Sequence, residues 1–220
     1  MIQIRKNDIK KKRTLKIFVN AAAQIIDENG IEAVTIRKVA KIAGYNSATI
    51  YNYFDNRNQL IFFAAIKFIS DYVQALPDYV DQSDDTLERF LLNWECFCKY
   101  SFRKPQIYYS IFTADIGERP EDLMKVYFSL FFFLFGHPSE DLIPMLLETD
   151  LSKRAAIALE PCIREGYFSE EEASQIDEML ILIYHGMMTL LINNRVDYSV
   201  EEAVETTMRY IRRTVESALD

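Results

Sequence analysis

Residues 36–54 read IRKVAKIAGYNSATIYNYF, and their spacing predicts two short helices joined by a tight turn. Thr35 stands where an N-cap hydroxyl belongs, ahead of an apolar face formed by Ile36, Val39, Ala40 and Ala43. Gly44 supplies the left-handed stop, and a second short helix starts at Asn46 or Ser47 and carries Ile50, Tyr51 and Phe54. Two short helices crossing at a steep angle need small residues where their backbones meet, and Ala40 and Gly44 meet that need. Val39, Ala43, Ile50 and one of Tyr51 or Tyr53 then close a small core. Ser47, Ala48, Thr49, Asn52 and the other tyrosine face outward. These short and hydrogen-bonding side chains suit a major groove about 12 Å wide, so the segment is expected to be a helix-turn-helix that reads double-stranded DNA.

Upstream, Leu15, Phe18, Val19, Ala22, Ile25 and Ile26 keep the spacing of one buried helical face, ending at Asn29-Gly30. Downstream, Asp55 or Asn56 caps a fourth, long helix whose stripe Phe62, Ile66, Ile69 and Val73 runs to about Ala75, before Pro77. Further helical stretches are expected near 84–102, 105–115, 120–135, 140–148 and 151–165, then two long ones near 170–194 and 199–218. With 6 Gly and 6 Pro in 220 residues, the chain lacks the turn punctuation of a sandwich or barrel. An all-α fold is the expectation.

The net charge of −8 conceals an asymmetry. Residues 1–62 hold 11 Lys and Arg against 5 Asp and Glu, leaving 14 against 28 for the remainder. A basic head on an acidic body is the electrostatic footprint of a polyanion bound at one end. Lys10 to Arg13 would form a basic arm before the first helix. The most apolar run, YFSLFFFLF at 127–135, falls short of the roughly 20 residues a bilayer span needs, so no membrane segment is expected. The N-terminus has no apolar run followed by a cleavage site, which predicts a cytoplasmic protein. Cys96, Cys98 and Cys162 keep no metal-ligand spacing and read as reduced core thiols.

On these residues the stretch from about 14 to 62 resembles the DNA-binding head of TetR/AcrR-type transcriptional regulators. The likeness covers the Gly30 stop, the Thr35 cap, the pairs Val39-Ala40 and Ala43-Gly44, the run Thr49-Ile50-Tyr51, and Tyr53-Phe54 followed by Arg57 and Leu60. The chain departs from the common pattern at Tyr45-Asn46, where Val-Ser is frequent, at Ala48, where Gly is frequent, and at Arg57, where Lys is frequent. The resemblance implies an N-terminal three-helix helix-turn-helix DNA-binding head, residues 1–55, joined to a larger helical ligand-binding and dimerisation domain, residues 56–220. On physical grounds Thr35 and Arg37 would reach phosphate at the start of a helix. Asn46, Ser47, Ala48, Thr49 and Asn52 would sit nearest base edges, and Tyr51, Tyr53 and Arg57 would contact phosphate.

Aromatic residues crowd 90–135 in the body, and a helical bundle commonly places a small-molecule site in such a region. Trp94, Tyr109, Phe112, Phe131, Tyr184, His185 and Met188 are the candidate lining, for a small apolar or aromatic effector. The acidic balance of the body points toward a neutral or cationic ligand. The last two long helices carry apolar stripes, Ile176 to Leu191 and Val200 to Val215, that would pair with a second copy into a four-helix bundle. No glycine-rich phosphate loop or nucleophile elbow is present, and His137 and His185 lie far apart, so no enzyme chemistry, metal or cofactor is expected. The leading reading is a dimeric, effector-released repressor acting on a palindromic operator. The alternative is a helical DNA-architectural or protein-binding chain without sequence readout.

Overall fold

Lys10 to Arg13 do not form an arm. In a computed structural model, which describes residues 6–116 and 139–219, the first helix already begins at Lys6. Helix α1 (Lys6–Asn29) carries Lys10 to Arg13 as exposed residues on its opening turns. Lysine and arginine are good helix formers, and the hydroxyl of the buried Thr14 donates to the Lys10 carbonyl at 3.1 Å. Gly30, at φ 80°, ends α1, and a short 3₁₀ turn, Ile31–Ala33, leads into the two-helix unit.

Helix α2 (Ile36–Ala43) starts at Thr35, whose hydroxyl accepts the Lys38 N–H at 3.2 Å. It stops at Gly44 in the left-handed conformation (φ 73°), with Tyr45 N–H donating to the Ala40 carbonyl at 3.0 Å. Helix α3 (Ser47–Ile50) is capped by the Asn46 side chain, which accepts the Ala48 N–H at 2.9 Å. Its coil continues as turns in which the amides of Tyr53 and Phe54 both donate to the Ile50 carbonyl.

The predicted long fourth helix is interrupted. Helix α4 (Arg57–Ala65) passes through a 3₁₀ segment, Ile66–Ile69, into α5 (Ser70–Val80). Leu60 to Ile66 are all buried, so this stretch has no polar face from which a stripe could fix the helical phase, and packing sets it instead. The expected stop before Pro77 is also corrected. Pro77 removes one donor to the preceding turn, yet the helix continues to Val80 because Val73, Leu76 and Val80 are all drawn into the core.

The body continues with α6 (Thr86–Arg103), α7 (Pro105–Phe112), α8 (Ile143–Leu147), α9 (Leu151–Arg164), α10 (Glu170–Ile192) and α11 (Val200–Glu216). The ends lie within a few residues of those expected, and the helix predicted near 120–135 lies outside the described residues. Caps explain the starts: Asp85 before α6, Asp150 before α9, and complete capping boxes, Ser169 with Glu172 and Ser199 with Glu202, before α10 and α11. Helix α6 packs against α5 and α11, while α10 bridges α9 and α11. Arg212 on α11 donates two bonds, of 2.9 and 2.6 Å, to the Glu88 carboxylate on α6. The three cysteines are free and buried, and burial pushes the Cys96 and Cys162 thiols up to about 12.

Two described stretches, Arg57–Val80 and Glu170–Ile192, are long and apolar enough to cross a bilayer, which corrects the expectation that none would be. The first is mostly buried core. The second is mostly unburied, and its apolar surface divides between a face on the body and a face turned outward.

Arg57 ties α4 to the head. Its Nε donates to the Val34 carbonyl at 2.7 Å, and Nη2 reaches the Ile31 and Glu32 carbonyls at 3.4 Å each. The guanidinium thus turns toward the loop before α2, in place of the phosphate-directed pose expected from sequence. Arg57→Ala should lower unfolding free energy by about 1–3 kcal/mol, as for lost hydrogen bonds from a charged donor, measured by urea denaturation. A change within about 0.5 kcal/mol would show that the clamp is idle.

Asp177 on α10 has one buried carboxylate oxygen without a partner among the described residues. Burial, then the nearby Asp150 charge, raises its carboxyl to about 6. Because the folded state holds this proton more tightly than the unfolded chain does, the group favours folding below about pH 4 and loses that contribution as pH rises through about 6. Asp177→Asn should therefore stabilise the protein at pH 7.5 by about 1 kcal/mol, allowing for solvent screening of a half-buried group. The gain should vanish by pH 4 in thermal melts at the two pH values.

Candidate nucleic-acid interface and interior cage

The two-helix unit is seated on Phe18 of α1, which is wholly buried. Tyr45 and Tyr53 meet its ring edge-on, with centroids at 5.1 and 5.4 Å. Tyr53 is therefore the tyrosine that closes the small core, together with Val39, Ile50 and Phe54, and Tyr51 is the one that faces outward, with 57% of its surface exposed. Tyr45, one of the departures from the common pattern, serves as a packing residue of the turn, while Asn46, another, serves as a cap.

The outward surface gathers Thr35, Arg37 and Lys38 at the start of α2 with Asn46, Ala48, Tyr51 and Asn52 of the second unit, all exposed. Ser47 and Thr49 are half-buried beside them. Lys41 and Ile42 extend the same exposed part of α2. Thr35 and Asn46 act as caps, so each side-chain oxygen already accepts one backbone N–H. Arg57 stands apart, clamped to the loop carbonyls. The surface therefore combines three cations on α2 with short polar groups and one protruding phenol at α3, an arrangement able to bond phosphates and base edges.

In the body, Trp94, Phe112 and Tyr184 come together around Phe97, and Met188 is buried on the same helix as Tyr184. The Phe97 ring centroid lies 6.1 Å from that of Trp94 and 5.2 Å from those of Phe112 and Tyr184. His185 is half-buried beside Tyr184, and burial pushes its imidazole down, toward the neutral form. Tyr109 does not join this group. It is 43% exposed, in a crevice between α7 and α4 that also meets Arg57 and Asn58. Phe131 lies outside the described residues. Trp94, Phe112 and Tyr184 thus pack around Phe97 as an aromatic cage, and of the predicted lining only Trp94 also borders a void of about 10 Å³, shared with Asn93, Phe97, Leu151, Arg154 and Ala155.

Besides Phe97, two members were missed from sequence, Arg154 and Tyr72. Arg154 is 5% exposed, and its guanidinium lies between the rings of Tyr72, Phe97 and Phe112, 5.4 to 5.5 Å from each centroid. It donates to the Met145 carbonyl at 2.7 Å and to the Tyr72 hydroxyl. Tyr72 is wholly buried, and desolvation raises its phenol despite the neighbouring cation. Arg154 was legible in principle, since it falls on the buried stripe of α9 with Leu151, Ala155, Leu159 and Cys162.

Residues 18–63 match the family model described as bacterial regulatory proteins, tetR family. The HTH-type nicotine-responsive transcriptional repressor HdnoR of Paenarthrobacter nicotinovorans is 30% identical over 68 residues, which are 31% of this chain and 35% of that protein. The chain thus matches about a third of the length of this curated relative. Among solved structures, Thermus thermophilus FadR, a TetR-family repressor in complex with lauroyl-CoA, superposes with a TM-score of 0.60 at 12% identity, covering 94% of this chain and 95% of that one. The fatty acid degradation regulator FadR of Bacillus halodurans gives 0.53 at 17% identity, covering 90% and 94%. These likenesses extend the shared fold over the body. The family match thus lies on the residues that build the capped two-helix unit, so residues 18–63 form a head similar to that of the tetR family of bacterial regulatory proteins.

Proposed function

We propose that the chain is a dimeric transcriptional regulator, a repressor that reads operator DNA with α3 and its flanking turn and is released by a small effector held in the body. The observation that carries this reading is the head itself. Caps at Thr35 and Asn46 fix two short helices on Phe18, and Tyr51 and Asn52 are left exposed beside Arg37 and Lys38 within the span of the family match. The basic head and acidic body favour this end for a polyanion. The nicotine-responsive repressor with a similar head, and the lauroyl-CoA complex of a similarly folded repressor, support responsiveness to small molecules.

Helix α10 supports the dimer. Met179 and Leu182 are 48% and 62% exposed on its outward face, Leu190 continues the stripe, and nothing lies within 4 Å of a Cβ built on Gly186. A large apolar face with a glycine in the middle suits close approach of a second α10, with α11 alongside. Two heads held in this way would present recognition helices about 34 Å apart to successive major grooves. Helix α4 is the candidate transmitter, because Arg57 grips the head and the Asn58 side chain donates to the Asp115 carbonyl of the body at 3.1 Å.

Fluorescence anisotropy with DNA from upstream of the protein's own gene, against scrambled DNA at equal salt, tests the reading. Wild type should prefer its site by about 10³-fold, and a Thr49→Ala, Tyr51→Ala double variant with an unchanged melting curve should lose most of that preference. Equal, salt-sensitive binding to both DNAs would favour the architectural alternative. Leu182→Glu should halve the mass seen in sedimentation and weaken operator binding. A variant that stays dimeric would move the interface elsewhere.

A further inference from the structure

We propose that the interior cage between α6 and α9 receives a small organic carboxylate, with Arg154 and Trp94 holding the anionic group and an adjoining crevice holding an apolar body. The inference rests on the regulatory reading above and names the chemical class of its effector. Arg154 is a buried cation whose bonds to the described residues go to neutral oxygens: the carbonyls of Met145 and Glu148 and the hydroxyl of Tyr72. No carboxylate among the described residues forms an ion pair with it. A guanidinium does not shed its proton, so this charge lies in a low-dielectric interior with no anion beside it among the described residues.

Trp94 supplies the second, independent observation. It is 4% exposed, and its buried Nε1–H has no acceptor among the described residues. An orphaned buried donor is rare and costs as much as a lost hydrogen bond. Arg154 and Trp94 line the same void of about 10 Å³, room for about one water-sized group in the closed state. Two oxygens on one carbon are the simplest group able to serve both donors, and one cation calls for one negative charge. The cage therefore selects an anion, against the direction that the acidic exterior suggests.

Asn93, whose buried Oδ1 also has no partner among the described residues, lines this void and also a crevice of about 200 Å³, where Val80, Phe90, Met145 and Ile157 form the apolar wall and Arg89 and Asp141 the polar one. An apolar cavity of about 150 Å³ accepts benzene, so the crevice fits a single ring or a short branched chain. The ligand class is thus a monocarboxylate with a compact apolar body, entering as the rings around the void move apart.

Trp94 is the only tryptophan in the chain, so its emission reports directly on the cage. The full-length protein is titrated with 3-phenylpropionate, with 3-phenylpropanamide and with inorganic phosphate. The carboxylate should give a saturable change in Trp94 emission, the amide should bind at least about ten-fold more weakly, and phosphate should give no response. Arg154→Met should abolish carboxylate binding. Because Arg154 also ties α9 to Met145 and Tyr72, Trp94→Phe is the companion variant: it keeps an aromatic ring, loses the donor, and should weaken the carboxylate about ten-fold by calorimetry while leaving the amide unchanged. Equal binding of acid and amide, a response to phosphate matching that to the acid, or no saturable response to the acid would overturn the inference. A protein that binds operator DNA and ignores the carboxylate overturns this inference alone. One that binds the carboxylate and no DNA overturns the regulatory reading alone.

Discussion

Seven of the nine residues of α4, Gln59 to Ala65, are buried, and only Arg57 and Asn58 of the helix reach outward. That constraint organises the molecule. Helix α4 packs on α1 of the head and on α7 of the body, so neither can shift without disturbing a surface buried on every side. Fully burying a residue such as Phe62 contributes about 1.5–3 kcal/mol, and interiors this dense transmit displacement in preference to absorbing it. The two outward residues bond in opposite directions, Arg57 to the loop before α2 and Asn58 to the end of the α7 segment.

The head was legible because its signals are local. A cap, a left-handed glycine and a short apolar spacing each act within a few residues, and Thr35, Gly44 and Asn46 occupy in the structure the positions their chemistry predicts. What sequence left open was a matter of packing at a distance. Whether Tyr51 or Tyr53 faced inward depended on where Phe18 stood, some 30 residues earlier. Arg57 looked like a phosphate ligand because nothing local shows three carbonyls waiting 23 to 26 residues upstream.

The body was legible as helices and opaque as a site. Trp94, Phe112 and Tyr184, picked out by aromatic density as a pocket lining, lie around Phe97, but density could not separate Tyr109, which is exposed, from Tyr108, which is buried in the core. Arg154 was overlooked because a charge on an otherwise apolar stripe reads as an interruption, whereas here the stripe carries the charge inward. Helix α10 shows the opposite case: its apolar residues encircle the helix, and the monomer covers only part of them. Among the described residues, the interior cation and the uncovered helix face are two places where the single chain leaves chemistry unanswered. An effector and a second copy are the answers that the site and the surface favour.

The central claim is that two copies of residues 36–54 read DNA sequence as a pair. Selection of the full-length protein on random double-stranded DNA tests it most directly. The account predicts enrichment of an inverted repeat whose half-site centres lie about one helical turn, roughly 34 Å, apart or a multiple of it. Recovery of unenriched DNA, or of a single half-site with no symmetric partner, would contradict it.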